Sequence, residues 1–294
     1  MKTTSRHASI QLTLIGSLVI GVGAGMPFDA ALLLQCFPTY VARGNGAKAY
    51  TAADCTMFAA VGRKAGAEES VVGCNFDWTG DEAIGVCDVR PAEGRRYVAI
   101  GFLWHLGVFT GMNDAGLVVC AQRVEPLGVP PSDVVPLELV LKELLETAGT
   151  VNEALERLTG LTRHRGYHVL VTDPATPETC VVEFGPALNV RRTQDGLMLG
   201  ADPASEWVDE AGRDRYTRLR ELLADERIVG ELDVERVLQD RAVGAGESVR
   251  ILNDQTRYVV VFRPNALELR VAAPAADHSL GAFAVVSLTS EATP

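Results

Sequence analysis

From residue 55 onward the chain alternates short apolar runs with turns rich in Gly, Pro, Asn and Asp. Cys55-Thr56-Met57-Phe58-Ala59-Ala60-Val61 and Val71-Val72-Gly73-Cys74-Asn75-Phe76-Asp77-Trp78 each read as a strand. The link between them, residues 62–70, carries Arg63, Lys64, Glu68 and Glu69 between glycines, which is hairpin composition. Further strands are predicted over 84–89 and 97–104 around the turn Pro91-Ala92-Glu93-Gly94, and the turn Gly111-Met112-Asn113-Asp114-Ala115-Gly116 feeds a buried strand at 117–120. After a Pro-rich loop (126–136) the period changes. Leu137, Val140, Leu141, Leu144 and Leu145 recur at helical spacing and predict a helix over 137–147. Thr150 followed by Glu153 forms a capping box that opens a second helix over 151–158. Strands at 167–172, 179–184, 188–192 and 197–199 come next, then helices over 213–224 and 234–240, and strands at 258–263 and 267–272 joined by Pro264-Asn265-Ala266. Hairpins rather than regular βα alternation predict an α+β fold of antiparallel sheets with helices outside.

The N-terminal part needs its own reading. Lys2 and Arg6 followed by the apolar run 10–22 have the outline of a secretory signal, with Val22-Gly23-Ala24 as a small-residue cleavage site. The turn Gly25-Met26-Pro27-Phe28-Asp29 and the second apolar run from Ala30 to Leu34 instead fit two short helices on a Gly/Pro hinge, a retained pro-segment of a cytoplasmic protein. Secretion is the alternative if residues 1–24 are a signal. The run is shorter than the roughly 20 residues that span a bilayer, so no membrane partner is expected. Residues 37–54 form a polar connector of the kind exposed to processing.

Hydrophobic content of 47% over 294 residues is ample for one packed core. A net charge of -11 without any Lys/Arg stripe excludes a nucleic-acid partner. Six cysteines show no Cys-x-x-Cys pair or zinc spacing, so most are expected as reduced, buried thiols. His164 and His168 are four apart but straddle Gly166, a poor helix former, and no metal site is expected. Gly244-Ala245-Gly246 lacks the following Lys and Ser/Thr of a phosphate cradle, and no cofactor is expected.

A cysteine opening one strand and an aspartate closing its hairpin neighbour suggest a nucleophile. A thiol has a pKa of about 8.5 and an α-amine one of about 7.7 to 8.0, so an amine freed at Cys55 would take the thiol proton near neutral pH. Cleavage of the Asp54–Cys55 peptide would create that base, and a carboxylate such as Asp77 would orient it.

These residues resemble the Ntn hydrolases, in particular the acyl-coenzyme A:6-aminopenicillanic acid acyltransferase family and its choloylglycine and penicillin V hydrolase cousins. Asp54-Cys55-Thr56-Met57-Phe58 is similar to the family's self-cleavage site and following strand. Gly73-Cys74-Asn75-Phe76-Asp77-Trp78 is similar to its Gly-Arg-Asn-x-Asp-Trp, and Gly111 to Leu117 to its Gly-Met-Asn-Glu-x-Gly-Leu turn. The resemblance implies a four-layer αββα sandwich and a precursor processed into chains 1–54 and 55–294 that stay together. It implies Cys55 as nucleophile and base, acting on a small-molecule linear amide and passing its acyl-thioester to water or an amine acceptor.

The resemblance also marks other site residues. Asp77 and Asn75 follow from the Asn-x-Asp-Trp match, and Arg215 from Arg215-Tyr216-Thr217-Arg218, although Arg213, Arg218 and Arg220 also suit a solvated helix face. Gln122 or Arg123 falls near a second oxyanion position, and Asn113 joins the candidate substrate or oxyanion set. The family's arginine is Cys74 here, and a thiol cannot hold a carboxylate as a guanidinium does. The family's oxyanion asparagine corresponds to Ala201 or Asp202, neither of which donates a side-chain hydrogen bond when the aspartate is ionised; losing one such donor costs about 100-fold to 1000-fold in rate. These departures keep open an alternative of another class, a degenerate, unprocessed binding or scaffold protein on the same fold.

Overall fold

The structure, a computed structural model, describes residues 55–66, 69–78, 82–123, 135–161, 166–184, 187–200, 210–224, 228–242, 250–275 and 277–289. The two helices expected in the N-terminal part, the connector, Asp54, His164, Ala201 and Asp202 lie outside them.

Among the described residues thirteen strands form two antiparallel sheets. The six-stranded sheet runs in the order β10 (Gly196–Leu199), β1 (Thr56–Val61), β2 (Ser70–Asp77), β11 (Thr256–Arg263), β12 (Glu268–Ala272), β13 (Ala284–Ser287). The seven-stranded sheet follows chain order: β3 (Ile84–Val89), β4 (Tyr97–Phe102), β5 (Thr110–Asn113), β6 (Val118–Arg123), β7 (Tyr167–Asp173), β8 (Glu178–Phe184), β9 (Leu188–Thr193). Helices α1 (Leu137–Thr147) and α2 (Val151–Thr159) cover the outer face of the second sheet, while α3 (Glu210–Leu223) and α4 (Glu231–Leu238) cover the first. The layers are therefore α, β, β, α. No helix among the described residues is long and apolar enough to cross a membrane.

The strands of a sandwiched sheet bury both faces, and β1 does so along its whole length. Phe58 and Ala60 pack with Leu219, Leu223, Val234 and Val237 under the helices, whereas Cys55, Met57 and Ala59 point into the core between the sheets. That alternation aims the side chain just before β1 at the inter-sheet space.

α1 has the predicted bounds, since its apolar stripe is buried without a break. In α2 the Thr150 side chain accepts the Glu153 N–H at 3.2 Å as a capping box requires. The Glu153 carboxylate takes the N–H of Gly149, at 2.6 Å, rather than that of Thr150. α3 and α4 each begin three residues earlier than the pattern predicts. In α4 the cause is visible: Asp233 accepts the Gly230 N–H at 3.2 Å and starts the helix there. The edge strand β13 is an addition to the predicted elements.

Candidate active site

The hairpin register Thr56↔Asn75 carries Cys55 alongside the end of β2. Its thiol donates to the Asp77 carbonyl at 3.6 Å and accepts the Asp77 N–H at 3.4 Å. Cys55 is 7% exposed, and Phe76 beside it stacks on Tyr258 with ring centroids 4.9 Å apart. Burial pushes the thiol well above its ordinary value, and the Asp77 charge adds to the rise; the Asp77 backbone hydrogen bond and the Arg215 charge act the other way. The sulfur is therefore protonated at neutral pH.

Asp77 is buried at the end of β2, where the pairing with β11 slips between Thr256 and Tyr258. Such bulges re-aim side chains and are common beside active sites. One carboxylate oxygen accepts the Asn253 side-chain amide at 2.7 Å. Sequence reading missed Asn253: Leu252-Asn253-Asp254-Gln255 looks like any turn, and nothing local ties it to a strand 176 positions earlier.

Arg215 occupies the apolar face of α3 with Leu219 and Leu223 and is 4% exposed. Its neighbours behave differently. Arg218 pairs with Asp240 at 2.9 Å, while Arg213 and Arg220 face solvent. The solvated-face reading thus fits the others and not Arg215, whose charge acts on the Cys55 thiol.

Two asparagines expected at the site are engaged elsewhere. Both amide hydrogens of Asn75 are taken, by the carbonyls of Leu238 at 3.0 Å and Ile251 at 2.9 Å. Asn113 donates to the carbonyls of Leu145 at 3.0 Å and Ala148 at 2.7 Å, and accepts the N–H groups of Ala115 and Leu117 at 3.1 and 3.0 Å. Neither has an amide hydrogen left for a substrate oxygen in this arrangement.

Gln122 is buried on the inter-sheet face of β6, on the same side as Cys120. Across the sheet it lies opposite His168, which lies opposite Glu183. Glu183 holds Arg191 at 2.8 Å, and Arg191 donates to the carbonyls of Leu199 and Gly200 at 3.0 and 3.1 Å. Gly200 in turn donates to Met57 at 2.8 Å, so this polar row ends two residues from Cys55. Arg123 ends β6 opposite Tyr167. Cys74, where the family's arginine would be, is a buried thiol with Cys120 and Thr110 as hydrogen-bond partners. Among the described residues no three His, Cys, Asp or Glu side chains converge as metal ligands.

Two packed antiparallel sheets between helix layers, with an inward cysteine at the head of a strand, define the Ntn-hydrolase fold. The model of the acyl-coenzyme A:6-aminopenicillanic acid acyl-transferase family matches residues 64–200 of the chain. That span holds Asn75, Asp77, Asn113, Gln122 and Arg123 but neither Cys55 nor Arg215. Three solved structures share the architecture. A Clostridium perfringens conjugated bile acid hydrolase variant covers 81% of this chain and 93% of its own, at 14% identity and TM-score 0.58. A Caenorhabditis elegans N-acylethanolamine-hydrolyzing acid amidase ortholog covers 71% and 92%, at 17% identity and TM-score 0.54. The penicillin V acylase of Agrobacterium tumefaciens covers 74% and 83%, at 16% identity and TM-score 0.52. No curated protein matches the sequence.

Proposed function

We propose that the chain is a self-processing N-terminal-cysteine enzyme that hydrolyses or transfers the acyl group of linear amides. The observation that carries this is the Cys55 thiol, held against Asp77 with the buried Arg215 charge acting on the same sulfur. The family match and the amide-cleaving relatives support the reaction class.

In the intact chain the thiol is protonated and Cys55 has no amine. Hydrolysis of the Asp54–Cys55 bond, in which water gives its hydroxyl to the Asp54 carbonyl carbon and its proton to the Cys55 nitrogen, gives chains 1–54 and 55–294 and frees that amine. The amine takes the thiol proton, and the thiolate attacks the substrate carbonyl. The departing amine leaves with the proton, and the acyl group stays on sulfur as a thioester. Water or an acceptor amine then attacks the thioester, loses its own proton to the Cys55 amine, and the proton returns to sulfur as the acyl group leaves. Asp77 holds the ammonium form while it exists, and Arg215 favours the thiolate. Oxyanion donation falls to Gln122 among the candidates with a free hand, since Asn75 and Asn113 are committed. A buried thiol rather than a guanidinium at Cys74 favours substrates with a neutral acyl part.

Mass spectrometry of wild type and Cys55→Ala, with thiol-directed acylating probes and a panel of N-acyl amides and penicillins, tests the proposal. Two chains and turnover in wild type, and neither in the variant, are expected. An intact, unreactive wild type would favour the second reading, an unprocessed binding protein, for which the buried Cys74 in place of arginine is the specific observation.

A further inference from the structure

We propose that Asn75 and Asn253 form a bracket that positions Asp77: Asn253 grips the carboxylate, and Asn75 holds the segment that carries Asn253. The inference rests on the reading of Asp77 as the partner of a Cys55 amine.

The segment from Ile251 to Thr256 crosses the end of β2 and is tied at each step. Ile251 gives its carbonyl to Asn75 at 2.9 Å, and Leu252 gives its N–H to the Asp240 carbonyl at 2.9 Å. Asn253 donates its backbone N–H to the Thr256 hydroxyl at 3.1 Å, and its side-chain oxygen accepts the Gln255 N–H at 2.8 Å. The Gln255 carbonyl accepts the N–H of Trp78, the residue after Asp77, at 2.9 Å. Asn75 and Asp77 share one face of β2, so the same strand both anchors the segment and receives its amide.

An ordinary turn explains only part of this. An Asx turn uses the Asn253 oxygen alone, and an aspartate would serve it equally. The amide nitrogen, 2.7 Å from the Asp77 carboxylate, is a separate contact with a charged partner. Asn75 makes the same point from the other end. Its amide hydrogens are both used, while its buried side-chain oxygen finds no partner among the described residues. A buried orphan acceptor is costly, so the donors are what the position requires. The effect on Asp77 is to fix its rotation and favour its ionised form, so that its charge meets the ammonium formed in each cycle in one direction.

The test uses the full chain carrying Asn253→Asp or Asn253→Ala, read by processing rate and amide turnover against pH. A protonated aspartic acid can replace the amide donor, and the two carboxyls then share one proton. Asn253→Asp should therefore retain activity with its pH optimum moved to acid by about one unit or more. Asn253→Ala should lose about 10-fold to 100-fold at every pH. Wild-type profiles in both variants, or an equal loss in both without any acid shift, would overturn the bracket. A separate measurement, the carboxyl carbon NMR titration of Asp77 in the Cys55→Ala background, separates the two layers of the reading. If wild type neither cleaves nor turns over amides, the Cys55 assignment fails; the bracket then stands if Asn253→Ala raises the Asp77 titration and falls if the titration is unchanged. The same titration decides the matter if Asn253→Asp is the only variant that folds, its Asp77 then titrating jointly with residue 253.

Discussion

Replacing Asn113 by alanine should cost the protein stability and leave its chemistry alone. The last turn of α1 leaves carbonyls that no helical N–H can reach. The Ala148 N–H closes on Leu144 at 2.8 Å and the Arg95 N–H on Glu146 at 2.9 Å. The carbonyls of Leu145 and Ala148 depend on Asn113, whose oxygen also holds the Ala115 and Leu117 N–H groups of the following turn. One buried side chain thus caps a helix and closes a hairpin. At about 0.5–1.5 kcal/mol net for each of its hydrogen bonds, and more where a buried partner is orphaned, the alanine variant should lose about 3–6 kcal/mol. Set against a usual stability of about 5–15 kcal/mol, this is severe but measurable. Urea unfolding in the Cys55→Ala background, where processing cannot intervene, reads the loss. Chain cleavage in an otherwise wild-type Asn113→Ala protein, kept cold, should proceed as before. A loss below about 1 kcal/mol with cleavage abolished would return Asn113 to the active site and refute the assignment.

Three further outcomes are expected. Burial raises the thiols of Cys55 and Cys180, the latter to about 12, and the hydrogen bond with Cys120 followed by burial raises that of Cys74, whereas in the unfolded chain a thiol ionises at about 8.5. Their contribution is complete below the unfolded value and is lost as pH rises above it, with a combined slope of up to about 4 kcal/mol per pH unit; urea midpoints that stay constant from neutral pH to well above the unfolded value would contradict this. Cys74→Arg forces a guanidinium against Cys120 and Thr110 and should cost more than about 4 kcal/mol, while Cys74→Val folds and is cleaved; a soluble, stable arginine variant would show that the slot opens. In Gly200→Ala the new Cβ would lie 2.3 Å from the Met57 side chain and 3.0 Å from its carbonyl oxygen. The end of β10 must then move off β1, costing about 1–3 kcal/mol and slowing cleavage at Cys55; an unchanged melting temperature and chain pattern would refute the close fit.

Periodicity made α1 legible to the residue, because a helix with one buried stripe writes that stripe at fixed spacing. It said less about pairing. β10 lies against β1 although more than a hundred residues separate them, and no local pattern announces such a partner. The layer order was expected from the motifs' resemblance to a family of known topology, and the two sheets between helix layers agree with it. β13 was invisible for a simpler reason: an edge strand of four half-exposed or exposed residues buries too little to show alternation.

The site divides along a different line, between residues defined by what they are and residues defined by what they touch. Cys55, Asp77 and Arg215 carry chemistry that few positions tolerate by accident in that order, and the structure brings Asp77 and Arg215 to bear on one sulfur. An asparagine carries no such mark. Asn75, Asn113 and Asn253 have the same amide, and only the destination of its hydrogens distinguishes a strand-to-loop tie, a helix cap and a carboxylate grip. The two asparagines inside recognisable motifs serve the scaffold, and the one touching the candidate acid lies in a turn with no motif. Motif order therefore nominates the candidate reacting atoms, while the residues that would aim them are found by following each amide hydrogen to its acceptor.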